Sequence, residues 1–456
     1  MTGLTLYDYI LFPVYFYVIW LIFKKIRSRY VNDTKKFRYF TWGFRIKIVI
    51  IIAYTLLSHY VIRGDAVDLY FGEGKHFAEI IKSDISRIDL LFTQGGKEID
   101  DLASPEEKGY LAMENNYMVV KVCTLLCFIT FSCFSLINLI VGFIAFLGSW
   151  QLYLFFLRQY PQMHKEFAFA CLGIPTVLFW SAGISKDTIC ITSLAVLTKC
   201  LFDITKSSKK LIRNIILVAM AVYLIYQIKS YIILSYVPFF LLFLIINKIN
   251  ETRIPLFRNA LKISIPVLLI SVFSYVVVNS EDLFREYSSE KILNDISSKQ
   301  SAFTAQNTGD MGSFFSLGEF DGSLGSLVRL APKAMVATFF RPFLWESKNL
   351  IMLLSSLEAM ALLFFTLHVL FKRKGLINFF PAVFNNSIVI YCLVFSVLFA
   401  IFVGVSTYNF GSLVRYKIPC IPFYVCGLLI INYHRILRVK AAKEANEIEK
   451  QPAAFD

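Results

Sequence analysis

With 456 residues, 57% of them hydrophobic and only 17% charged, the chain lacks the polar surface of a soluble domain, in which about a quarter of residues are charged. Its mean hydropathy is +0.61, and the apolar residues gather in blocks of about 16–23, the length that crosses roughly 30 Å of hydrocarbon at 1.5 Å per residue. The formal net charge of +14 would suggest nucleic acid in a soluble protein. Here the excess sits in short loops between apolar blocks, which argues against a nucleic-acid partner and marks membrane sidedness instead.

Continuous apolar runs, rather than period-two alternation, predict helices, so the fold class is an all-α polytopic transmembrane helix bundle. The first block, 7–23, has no basic leader and no small-residue cleavage site, and reads as a retained span. Residues 24–47 then hold nine basic side chains (Lys24, Lys25, Arg27, Arg29, Lys35, Lys36, Arg38, Arg45, Lys47) against Asp33 alone. Further apolar segments follow at 46–62, 117–133, 136–157, 167–182, 188–202, 211–228, 231–248, 263–279, 349–371, 387–406 and 417–434. This divides the chain into a leading span with a basic loop (1–45), a membrane module (46–434) and a charged cytoplasmic tail (435–456), disordered from Lys440 to Asp456.

Basic clusters at 24–47, at Lys206/Lys209/Lys210/Arg213, at Lys248/Arg253/Arg258/Lys262, at Lys372/Arg373/Lys374 and at Arg435/Arg438/Lys440/Lys443 belong on the cytoplasmic side. Loop 63–116, with twelve acids against six bases, and loop 280–348, with nine against seven, belong outside. If all twelve segments crossed, the Lys206–Arg213 cluster would fall outside. One segment between 117 and 202 therefore does not span. The weakest is 117–133, which carries Lys121, and it is placed as a helix at the external interface. About eleven spans remain, with an external N-terminus and a cytoplasmic C-terminus in a bacterial inner membrane.

The nine cysteines lie in or beside apolar segments with no disulfide or zinc spacing, and read as small buried hydrophobes. The cytoplasmic loops reach only about 24 residues, too few for a folded nucleotide-binding domain, and neither GxxxxGK[ST] nor GxGxxG occurs. Chemistry therefore belongs on the external face.

Five places there could carry it. In Arg63-Gly64-Asp65-Ala66-Val67-Asp68-Leu69-Tyr70, Gly64 can release the preceding helix and leave Asp65 at the mouth of the bundle as a general base or metal ligand, with Asp68 and Tyr70 close by to bind substrate. In Ser185-Lys186-Asp187, at a hairpin tip, Lys186 and Asp187 are a phosphate-binding cation and a second carboxylate, or else only cap a turn and a helix start. Lys229 lies at another short hairpin tip and either snorkels or faces a buried anion. Segment Leu327–Trp345 suits an interface helix whose Arg329 and Lys333 anchor headgroups, with Arg341-Pro342-Phe343-Leu344-Trp345 the sharper phosphate candidate. Arg415, in Arg415-Tyr416-Lys417-Ile418-Pro419, stands outside against the positive-inside trend, and an anionic ligand would account for it.

Taken together, an Asp–Tyr loop directly after a span, a second external Asp at a later hairpin and an Arg-Tyr-x-x-Pro start to a late span resemble the GT-C glycosyltransferases, across most of 46–431. The resemblance implies a polyprenyl-phosphate-linked sugar as donor, membrane lipids as surroundings and a divalent metal ion as a possible cofactor. It assigns Asp65 to the catalytic or metal-binding acid of the first loop and Asp187 to the second acid. Arg415 and Tyr416 fall on the carrier-phosphate side. Gly64-Asp65-Ala66 stands where many members carry two adjacent acids, and the leading span is additional. The chain also resembles membrane proteins of bacterial surface-polysaccharide clusters, including polymerases. Under the transferase expectation, Lys186, Lys229, Arg341 and Arg415 hold the departing phosphate, Asp65 accepts the acceptor's proton and Asp187 orients the acceptor or shares a cation. A flippase of lipid-linked saccharides is the rival, disfavoured because span centres read as nearly free of charge.

Overall fold

The computed structural model describes residues 4–206, 210–250, 315, 317–318, 324–372, 379, 381–383, 386–407 and 409–450. Among them every regular element is helical. The expected span 263–279, the basic residues Arg253, Arg258 and Lys262, and the first part of loop 280–348 lie outside the described residues. Contacts divide the chain into a first unit, Met1–Leu234, and a second, Ser235–Asp456.

The first unit holds α1 (Leu6–Arg27), α2 (Thr34–Leu57), the short α3 (Glu73–Ser83) and α4 (Lys97–Leu102), α5 (Glu114–Thr130), α6 (Phe134–Gln159), α7 (His164–Leu172), α8 (Pro175–Trp180), α9 (Lys186–Lys206) and α10 (Leu211–Lys229). Next come α11 (Tyr231–Asn250), α12 (Leu324–Phe340), α13 (Leu350–Phe371), α14 (Ser387–Ser406), α15 (Phe410–Tyr416) and α16 (Ile421–Lys450). Eight described helices are long and apolar enough to cross a membrane, nine if α15 and α16, bent by 64° at their junction, form one span. Their apolar faces point outward as well as inward. α1 exposes Leu6, Ile10, Val14, Tyr17, Val18 and Leu21, a surface suited to lipid and not to water. The chain is a multi-pass helical membrane protein.

The count falls below eleven for two reasons, and one of them corrects the expectation. Segment 263–279 is not described, and 167–182 is not a continuous span. It breaks after Leu172, where Gly173 precedes Ile174-Pro175 and Pro175 starts α8. Proline has no N–H for a continuing helix and fits the first turn of a new one. The two pieces still climb the bundle side by side with α2 and α6. His164 bonds Tyr153 at 2.9 Å, Leu172 meets Gly43, and the Ile184 N–H donates to Asn138 Oδ1 at 3.0 Å.

Lys47 also departs from the reading that put it in the basic cytoplasmic loop. It sits on α2 with 2% of its surface exposed. Its ammonium donates to the carbonyls of Leu178 (3.0 Å) and Ser181 (2.8 Å) and to Ser181 Oγ (2.7 Å). These are the carbonyls orphaned at the end of α8, so the lysine caps the helix break from a neighbouring helix. Glu358, within α13, is a further charge inside a span. The span interiors are thus less charge-free than composition suggests.

At one end of this unit, Arg158 pairs with Asp203 (3.0 Å) and Trp150 Nε1 donates to Tyr30 (2.9 Å), close to the basic loop 24–38. The opposite end carries residues 63–116. There α5 runs from α10, through Glu114 and Gln227 (3.4 Å), to α1, where Tyr15 donates to the carbonyl of Ile129. With 17 residues, α5 is not among the candidate spans. In the second unit α16 continues to Lys450, past the onset of disorder expected from its charge, because Ala441, Ala442, Glu444, Ala445 and Glu447 are strong helix formers. All nine cysteines are buried thiols.

Candidate functional site at the first-loop end

The sequence ends α2 with a widened turn over Ser58–Ile62, after which Arg63 (φ 46°) and Gly64 (φ 82°) turn the chain out of the helix. Glycine takes that left-handed geometry freely, and no atom stands within 4 Å of where a Cβ would be. Asp65 follows and is exposed. Asp68 accepts from the Gly64 N–H at 3.1 Å, bracing the turn. Tyr70 is 1% exposed, so its ring belongs to the packing beneath the loop. Around Asp65 lies a group of acids. Burial raises the Glu107 carboxyl above its ordinary range, and the charges of Glu73, Asp68, Asp65 and Glu106 raise it further. No set of three or more His, Cys, Asp or Glu converges on a common point for a metal among the described residues.

The second strand of the site comes from the α8–α9 corner. Ser185 caps α9 by accepting from the Thr188 N–H at 3.1 Å, and Thr188 Oγ1 donates to the Gly183 carbonyl at 2.6 Å. Capping is therefore done by Ser185, and Lys186 and Asp187 are left for other contacts. Asp187, 1% exposed at the start of α9, forms an ion pair with Lys229, 7% exposed in the last turn of α10. Each charge sits at the helix end whose dipole favours it. Lys186, half-buried, donates to Asn115 Oδ1 at the start of α5 (2.7 Å). It forms no ion pair among the described residues. The charges it feels are those of Lys229, Asp65 and Asp187.

Three helix ends and the first loop thus bring Asp65, Lys186, Asp187 and Lys229 into one electrostatic neighbourhood. Asp187 and Lys229 neutralise each other. Lys186 is held by a neutral amide, while Asp65 faces solvent. Sequence reasoning missed Asn115, and it missed Glu114, which takes Lys121 (2.8 Å) and Gln227 and so fixes α5 against α10. It also missed Asn138, which holds the α8–α9 corner in place. A polar residue at the start of a long apolar helix was the only signal for each.

The remaining candidates lie in the second unit. The Arg341 guanidinium is paired with Glu346, with Nε 3.0 and 3.1 Å from the two carboxylate oxygens, and lies 4.8 Å from the Phe315 ring and 4.9 Å from that of Phe410. Its expected role as a phosphate cation meets a counter-ion already in position. Arg329 and Lys333 are exposed on α12. Asn409 caps α15 by accepting from the Gly411 N–H at 2.7 Å, which sets Arg415 and Tyr416 half-buried on that short helix. Lys417, next in line, is buried and donates to the Arg341 carbonyl at 3.4 Å. No family model matches the chain, and no curated protein and no solved structure is significantly similar to it.

Proposed function

We propose that this protein is a membrane glycosyltransferase that moves a sugar from a polyprenyl-phosphate-linked donor to an acceptor hydroxyl at the first-loop face. That face is external to a bacterial inner membrane, with the N-terminus outside and the C-terminus in the cytoplasm. The observation carrying this reading is the pairing of an exposed carboxylate, Asp65, with a half-buried lysine, Lys186, whose hydrogen-bond partner among the described residues is the neutral amide of Asn115.

Glycosyl transfer needs both groups. The acceptor oxygen attacks the anomeric carbon as its proton passes to Asp65. The bond from that carbon to the phosphate oxygen breaks, and the charge left on the polyprenyl phosphate is held by Lys186. Asp187 acts as the counter-ion that keeps Lys229 at the site, which agrees with its sharing a cation more than with its orienting an acceptor. A divalent ion, if bound, would take Asp65 as ligand.

Flipping of a lipid-linked saccharide is the second reading, and Lys47 is the observation that speaks for it, since ionisable groups at membrane depth tend to be used. Its three N–H donors are all engaged by protein oxygens, which favours a structural role. The test is to express Asp65→Asn, Lys186→Ala and Arg415→Ala in cells lacking the protein and to analyse surface glycans and lipid-linked intermediates. Loss of glycan with donor accumulating on the outer leaflet is expected for the first two. Unchanged glycan from well-folded variants overturns the mechanism, and accumulation on the inner leaflet would indicate flipping.

A further inference from the structure

The second unit carries a cavity that the proposed transfer does not use. It has a volume of about 340 Å³ and is lined by His368, Lys372, Asn432, Arg435, Ile436, Val439 and Lys440, a size within the roughly 300–1,000 Å³ of small-ligand sites. Among the described residues no carboxylate lines it. Arg435, 6% exposed, forms its floor, and its guanidinium donates to the carbonyls of His368 (3.0 Å) and Lys372 (3.4 Å). That arginine therefore ties the end of α13 to α16 and brings Lys372 and Lys440, both exposed, to the rim of the same cavity.

Two cations over a third, with no acid among the lining residues, call for an anion with several acceptor oxygens. The surroundings say what carries that anion. From the cavity, Leu367, Phe364, Leu357 and Leu353 continue along α13, all exposed and recurring at three-, four- and seven-residue spacing on one face. Ile436 lines the pocket and is exposed as well. A basic pocket at a helix end that opens onto an apolar stripe matches the two parts of a phospholipid.

We propose that the cavity between the ends of α13 and α16 binds the phosphate of an anionic membrane phospholipid, with Lys372 and Lys440 as the contacting cations, Arg435 as the residue that positions them, and the acyl chains along the Leu353–Leu367 face. Basic pockets between spans at the positively charged membrane face take such headgroups. The site is independent of the transfer reaction.

The test uses the full chain in nanodiscs made with phosphatidylcholine alone or with added phosphatidylglycerol or cardiolipin, followed by native mass spectrometry of retained lipid. The parent is expected to keep an anionic lipid that Lys372→Ala/Lys440→Ala binds about tenfold more weakly. Lys25→Ala/Lys35→Ala, which removes the same charge from a different basic loop, is expected to bind as the parent does. Equal loss in both double variants would mean bulk attraction and overturn the site. Retention unchanged in Lys372→Ala/Lys440→Ala would also overturn it. Competition by millimolar inorganic phosphate as effective as by the lipid would assign the cavity to a soluble phosphate instead, and so refute a lipid site.

Discussion

The ion pair between Asp187 and Lys229 joins the start of α9 to the end of α10 with almost no water near it, and this makes its energetics testable. Lys229→Met leaves a buried carboxylate without its cation, and Asp187→Leu leaves a buried ammonium without its anion. Breaking one side of such a pair costs about 3–5 kcal/mol, whereas replacing both sides with apolar groups of similar volume is often near neutral. For a unit of this size that predicts a fall of roughly 6–20 °C in melting temperature for each single variant. In Asp187→Leu/Lys229→Met most of that fall should be recovered. The assay is thermal denaturation of the detergent-solubilised protein, followed as the loss of monomer on size exclusion, and the coupling energy is read from the four-protein cycle. Additive single effects, with no recovery in the double variant, would refute a mutually neutralising pair. The role given to Asp187, holding Lys229 in the site, would fall with it.

Two other perturbations are as direct. At Gly183 an added Cβ would stand 2.3 Å from Tyr54 Cε1 and 2.4 Å from Asn138 Oδ1, so Gly183→Ala forces α2 and α6 from the α8–α9 corner and should lower stability by about 1–3 kcal/mol, seen as a lower melting temperature. The Glu107 carboxyl is raised by burial and by its acidic neighbours, so the folded state holds its proton more tightly than the unfolded one. Stability from this group is complete below the unfolded value and is lost as pH rises through the folded one. As pH rises through the interval between the unfolded and folded carboxyl values, melting temperature should therefore lose this decrement in the parent and not in Glu107→Gln, and identical slopes across that interval would contradict the acidic grouping around Asp65.

What could be read from the residues alone was mostly what local rules decide. Helices were legible because apolar runs of the right length have no other way to satisfy their backbone in lipid. The exit at Gly64 was legible because glycine alone takes that geometry without strain. The broken span at 167–182 was hidden because hydropathy averages across Gly173 and Pro175 as though the helix ran through them. Lys47 was assigned by proximity in the chain to Lys24–Arg45, while its partners are 131 and 134 positions away. Asp187 and Lys229 were singled out as separate charges, and their pairing depends on two helix ends meeting, which no local pattern encodes. Arg341 and Glu346 are five residues apart, and that pair could have been found by asking which acid follows the arginine.

The cap that Lys47 places on the α8 break bears on how the protein is made. When α2 leaves the ribosome, the oxygens that will surround its lysine do not yet exist, since Ser181 is 134 residues further on. At synthesis rates of about 5–20 residues per second, that interval is roughly 7–27 s. Throughout it, α2 must keep the Lys47 side chain in or near lipid without its partners. Biogenesis of this bundle therefore requires either that the second helix wait beside the insertion machinery, or that it enter the bilayer displaced along its axis and slide into place once α8 arrives.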